Sequence, residues 1–125
     1  MIFLLTSYIA ITLIVVIFQI SLLFGAPLGE YTMGGKYKGS LPKKIRVAVF
    51  LQILVLFFFL FIVLINTGFA FSQYASIGNT GIWFVVAFFV LGSILNLATP
   101  SKKERMVWGP VNVLTLLIVL LIALN

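Results

Sequence analysis

The 125-residue sequence predicts an all-α membrane protein, a four-helix transmembrane bundle with a glycine-rich cytoplasmic loop and a short interfacial helix before the last span. Three observations lead there. Hydrophobic residues make up 63% of the chain and charged ones 8%, with a mean hydropathy of +1.30, and a soluble domain of this size has too little interior to hide so much apolar surface. The apolar residues fall into four long, nearly uncharged segments, and a bilayer core takes roughly 20 apolar residues per helical crossing. All eight basic residues are confined to two short stretches, 36–46 and 102–105. The whole chain reads as one domain.

The first apolar segment, 2–24, has no basic residues before it and no small-x-small cleavage site after it, so it is expected to be a retained helix and not a signal peptide. The second, 45–65, is ~31 Å long at 1.5 Å per residue, and Asn66-Thr67-Gly68 supplies its stop. The third is expected at 81–98, with Asn79 as N-cap and Thr99-Pro100 ending it. The fourth is placed at 108–124. From Pro110 onward it measures only ~22 Å, so Val107 and Trp108 are expected at its start, with the indole among the headgroups. Ser101-Lys102-Lys103-Glu104 matches a capping box, in which the serine accepts the N3 amide and the glutamate returns to the serine amide. It predicts a short interfacial helix ending near Gly109, with Pro110 as the first residue of the last span.

Charge then gives the direction. The first and third connections carry every Lys and Arg, and the second, 72–80, carries none. Basic residues are retained on the cytoplasmic side, which predicts a cell-membrane protein with loops 25–46 and 99–107 in the cytoplasm and both termini outside. Five of the ten glycines crowd between Gly25 and Gly39, a composition of folded loops with special backbone angles.

The run Gly25-Ala26-Pro27-Leu28-Gly29-Glu30-Tyr31 with Gly34-Gly35, together with Asn96-Leu97-Ala98-Thr99-Pro100-Ser101, Glu104-Arg105 and Trp108-Gly109-Pro110, resembles a group of small four-span bacterial integral membrane proteins. The likeness covers most of the chain. It implies the four-span fold and brings no activity or cofactor with it.

Within the spans, Gln19, Gln52, Asn96 and Asn112 each lie ~6 to 9 Å inside the cytoplasmic boundary, one amide per helix in a common layer. Tyr8 and Thr12 share a helical face with Gln19, as Gly92 and Ser93 do with Asn96. Two readings follow. The simpler is interhelical glue, amides bonding one another to fix helix register. The sharper is a polar pocket open to the cytosol, with Glu30 folding back from the glycine-rich loop as its charged member. Glu30 and Glu104 are the only acidic residues, and a cross-loop ion pair from Glu30 to Arg105 is expected to clamp the two loops together.

Several functions are disfavoured. Without Cys or His there is no thiol chemistry, no Cys/His zinc site and no imidazole base. Gly35-Lys36 fails as a phosphate loop, because Glu30 stands where a glycine is needed and Tyr37 where Ser or Thr is needed. No acidic residue lies inside an expected span, which weakens ion-driven transport. The sequence therefore favours a non-enzymatic structural or accessory protein without cofactor, metal or nucleic-acid partner. It would contact anionic lipid or a membrane-protein partner through Lys36, Lys38, Lys43, Lys44, Arg46, Lys102, Lys103 and Arg105. The alternative is a small homo-oligomeric carrier or pore that handles a polar solute through the amide layer and Glu30.

Overall fold

In hydrocarbon a chain must satisfy its own backbone groups, and a helix does so segment by segment. The computed structural model describes residues 1–125 and does this with four helices: α1 Ile2–Leu23, α2 Lys43–Thr67, α3 Ala75–Ala98 and α4 Lys102–Leu124. Of 95 backbone hydrogen bonds, 78 lie within helices, so few main-chain groups depend on other partners. All four helices are long and apolar enough to cross a membrane, and there are no strands. Only 27 of the 125 residues are buried. The outward faces carry Ile14, Ile17, Leu54, Phe84, Leu91 and Leu121, a surface that lipid and not water can cover. The chain is a multi-pass membrane protein.

Two element boundaries differ from the sequence expectation. The interfacial helix is not separate: α4 runs unbroken from Lys102 to Leu124, ~34 Å, with Pro110 inside it. Proline there forfeits the bond its nitrogen would have donated to Met106. The helix survives because Glu104 and Gly109 on one side of the proline, and Thr115 and Ile118 on the other, are all buried against neighbouring elements. Likewise, α3 starts at Ala75, six residues before Gly81, and Asn79 is not its cap. Asn79 lies within the helix, where its Oδ1 accepts from Asn66 Nδ2 at 3.1 Å. Gly78 explains the early start, because a Cβ there would sit 2.7 Å from Ile65 and 2.8 Å from the Asn66 nitrogen. Helix here lets α3 lie directly against the end of α2.

Met1, Asn66, Asn79 and Asn125 gather around one shallow hollow, so both termini and the α2–α3 turn share one end of the bundle. The two basic connections occupy the other, called here the basic end. The core is divided between them. Toward the termini, Tyr8, Val63, Val85 and Val119 bring all four helices into one cluster. Toward the basic end a second cluster, Val16, Leu22, Leu41, Val49, Ile53 and Leu56, involves only α1, α2 and their connection. There α3 packs on α4 instead, with Leu97 against Gly109 and Asn112 beside Gly92. The bundle thus separates into two helix pairs at its basic end, and the space between them is the site.

Candidate binding cavity at the basic end

The cavity between the pairs has a volume of about 450 Å³ and is lined from all four helices and the first connection. Gln19, Gln52, Asn96 and Asn112 all line it, with Thr12, Thr115 and Trp108. The four amides do not bond one another. The amide pair that does form, Asn66 with Asn79, lies at the opposite end. Gln19 Oε1 and Trp108 Nε1 are buried with no hydrogen-bond partner in the protein. Of the neighbours that share faces with these amides, Thr12 and Gly92 line the cavity, whereas Tyr8 and Ser93 are buried in the helix packing.

The charged residue at the cavity is Glu104, not Glu30. Only 7% exposed, Glu104 occupies the third position of α4, where the positive end of the helix dipole favours a carboxylate. Its amide donates to Ser101 Oγ at 3.1 Å, as a capping box requires, but its carboxylate does not return to the Ser101 amide. Gly34 N–H donates to Glu104 Oε2 at 3.1 Å, and the Ser101 amide goes to Thr99 Oγ1 at 3.3 Å. The first connection has folded across the start of α4 and offers a better-placed donor.

That connection is built for close approach. Gly29 N–H donates to the Gly39 carbonyl at 2.8 Å, and a Cβ on Gly29 would meet the Tyr37 oxygen at 2.1 Å, so only glycine fits. Gly34 has φ 69°, the left-handed region that favours glycine, and its N–H meets Glu104 within this tight turn. Ser101 Oγ closes the junction by donating to the Glu30 carbonyl at 2.5 Å. Tyr31, Thr32 and Met33 consequently lie across the end of the cavity as a floor.

Glu30 is outside, on the surface. Its carboxylate pairs with Lys103 at 2.6 Å, not with Arg105. Lys103 and Arg105 are two positions apart, about 200° around a helix, so only one faces the first connection. Arg105 instead donates to the Thr99 carbonyl at 3.0 Å. The hydrogen bond and charge of Lys103 hold the Glu30 carboxyl below its ordinary range. With side-chain exposures of 55% for Lys103 and 36% for Glu30, the pair is solvent-screened and contributes modestly.

The remaining basic residues are dispersed over the same end. Lys36, Lys38, Lys43, Lys44 and Lys102 are exposed with no acidic partner, and half-buried Arg46 donates from Nε to the Leu41 carbonyl at 2.9 Å. A larger hollow of about 570 Å³ lies between α2 and α3 nearer the termini, lined by Phe58, Ile62, Ile77 and Phe84 with no charged residue. It is a lipid-facing groove. Comparison with protein-family models, curated proteins and solved structures found no match to this chain.

Proposed function

We propose that this chain is a membrane-embedded binding protein that holds a polar group in the cavity at its basic end, just inside the cytoplasmic face of a cell membrane. One observation carries the reading: four amides and a buried carboxylate line the same space without satisfying one another. A buried acceptor without a partner costs about 1–3 kcal/mol, so an arrangement that only locked the helices together would have paired its amides. The function is binding, with no bond made or broken.

The test is stability in the presence of candidate solutes. A ligand that binds the folded state alone raises stability by RT ln(1 + [L]/Kd). A panel of amines, polyols and amino acids is titrated into protein in nanodiscs. At least one is expected to raise Tm in the parent and to fail with Asn96→Leu and Asn112→Leu, both of which keep their apo Tm. A solute-dependent gain that survives both changes would reject the cavity.

A second reading concerns the collar of lysines. Lys36, Lys38, Lys43, Lys44 and Lys102 carry charge outside the chain's one ion pair, and each cation near an anionic surface contributes about 1 kcal/mol. This supports preferential contact with anionic headgroups around the basic end. Enrichment of phosphatidylglycerol over phosphatidylcholine around the protein is expected to fall steeply as salt rises. Salt-independent enrichment would reject an electrostatic origin.

A further inference from the structure

We propose that the cavity admits an ammonium-headed amphiphile sideways from the membrane, through the gap between α2 and α3, with the head against Glu104 and the amides and the chain left in lipid. This deepens the binding reading above and rests on it.

The route follows from which walls are closed. Between α1 and α4, Phe18 and Trp108 pack with ring centroids 4.7 Å apart. Across the end, the floor of Tyr31, Thr32 and Met33 is tied to α4 by the Gly34 to Glu104 bond. Toward the termini, the four-helix core fills the bundle. The remaining wall is different. Leu51 and Val55 of α2 and Phe88 and Leu95 of α3 line the cavity and yet are 36–60% exposed, so they form the rim of an opening. Gln52 sits on the same exposed face of α2. This opening lies along the helices and faces hydrocarbon. A molecule already in the bilayer reaches it without crossing the floor.

The occupant's chemistry follows from what the rim and the interior offer. The rim is aliphatic and aromatic, which suits a chain. The interior offers acceptors, and its one charge is negative. Glu104 has no cation within ion-pair distance, the chain's one ion pair being Glu30 with Lys103. A buried carboxylate gains most from an opposite charge brought within a low-dielectric site. An ammonium head supplies that charge and carries N–H donors for acceptors such as the unpartnered Gln19 Oε1. An anionic head would face Glu104 with the wrong sign.

The experiment uses the full chain in phosphatidylcholine nanodiscs at neutral pH with Trp83→Phe, which leaves Trp108 as the sole indole. Dodecylammonium, ethylammonium and dodecanol are titrated separately and Trp108 emission is followed. Dodecylammonium is expected to give a saturable change at least tenfold tighter than either of the others. Glu104→Gln should weaken it at least tenfold, and Val55→Phe with Leu95→Phe, which crowds the rim, should do the same. Glu30→Gln, outside the cavity, should leave it unchanged and so controls for adsorption to the disc. If Glu104→Gln fails to fold, Gln52→Leu on the exposed face is expected to weaken binding at least threefold. Ethylammonium binding as tightly as dodecylammonium, with no effect of the rim variant, would overturn the lateral route while leaving the polar cavity in place. Dodecanol matching dodecylammonium would overturn the ammonium head. No saturable signal from any probe, with no solute-dependent stability gain in the earlier panel, would remove both readings.

Discussion

Replacing Gln19 by leucine separates an amide that holds helices together from one that waits for a ligand. If Gln19 were glue, the change would remove an interhelical hydrogen bond worth about 0.6–2 kcal/mol and stability would fall. The structure gives the opposite sign. Gln19 makes no hydrogen bond, and its Oε1 is buried without a partner. An unsatisfied buried acceptor costs about 1–3 kcal/mol. Because the residue is only half-buried, the lower end of that range applies, and leucine of similar volume also adds apolar contact beside Val15 and Phe18. Gln19→Leu is therefore expected to raise the apo stability by about 1 kcal/mol, roughly a fivefold change in the unfolding constant. Reversible unfolding in bicelles, followed by steric trapping, measures it. A fall of about 1 kcal/mol or more would refute the reasoning, because it would mean that the amide is bonded in the membrane.

Ser101→Ala removes both an N-cap and the donor to the Glu30 carbonyl. At about 1 kcal/mol for each, the same unfolding assay should read a loss of about 2 kcal/mol, and a loss below about 0.5 would deny the serine its junction role. Because Lys103 lowers the Glu30 carboxyl from its ordinary value of 4.5, the pair's stabilisation is fully present above that pH and fades as pH falls below it. The Tm difference between the parent and Glu30→Gln should therefore shrink from pH 7 to pH 3, and a difference that grows would give the wrong sign. Phe18→Ala opens the α1–α4 wall: losing the aromatic pair and part of a buried ring should cost about 2 kcal/mol. Leu95→Ala at the opposite rim should cost less than about 0.5 kcal/mol, and equal losses would contradict a bundle open on the α2–α3 side only.

The four spans were legible because hydropathy and length act on whole segments, and a lipid solvent leaves a helix as the only way to bury a long apolar run. The depth of the amides was legible for the same reason, since 1.5 Å per residue converts position into height. Charge assignment was not. Glu30 sits in a glycine-rich loop whose path depends on contacts such as Gly29 with Gly39, made across the loop and invisible in local sequence. Glu104 was hidden by a boundary. Treating Pro110 as a helix start cut α4 in two and concealed that Glu104, Trp108, Asn112 and Thr115 recur at spacings of four, four and three along one face. Read as one helix, that face announces the cavity's polar wall. The Arg105 expectation failed on the same element, because partners two residues apart on a helix point in nearly opposite directions.

Connectivity explains why the opening lies where it does. At the basic end the chain links α1 to α2 and α3 to α4, and at the other end it links α2 to α3. Two neighbouring pairs, α2 with α3 and α1 with α4, are therefore unlinked at the basic end and meet there only through side chains or folded loop. The α1–α4 side has Phe18 against Trp108, while the α2–α3 side packs higher up, at Gly78 with Ile65 and, nearer the basic end, at Phe59 with Phe88, 4.8 Å between centroids. Below that pair α2 spends its apolar face on α1 and Leu41, and α3 spends its own on α4 through Gly92 and Gly109. Neither helix has an inward face left for the other. In water such a gap would draw the helices together, but lipid tails are as apolar as the side chains and exert no such force. A bundle in a bilayer can hold a side opening at little cost, and its depth at the amide layer puts acceptors and a carboxylate within reach of whatever the leaflet brings to it.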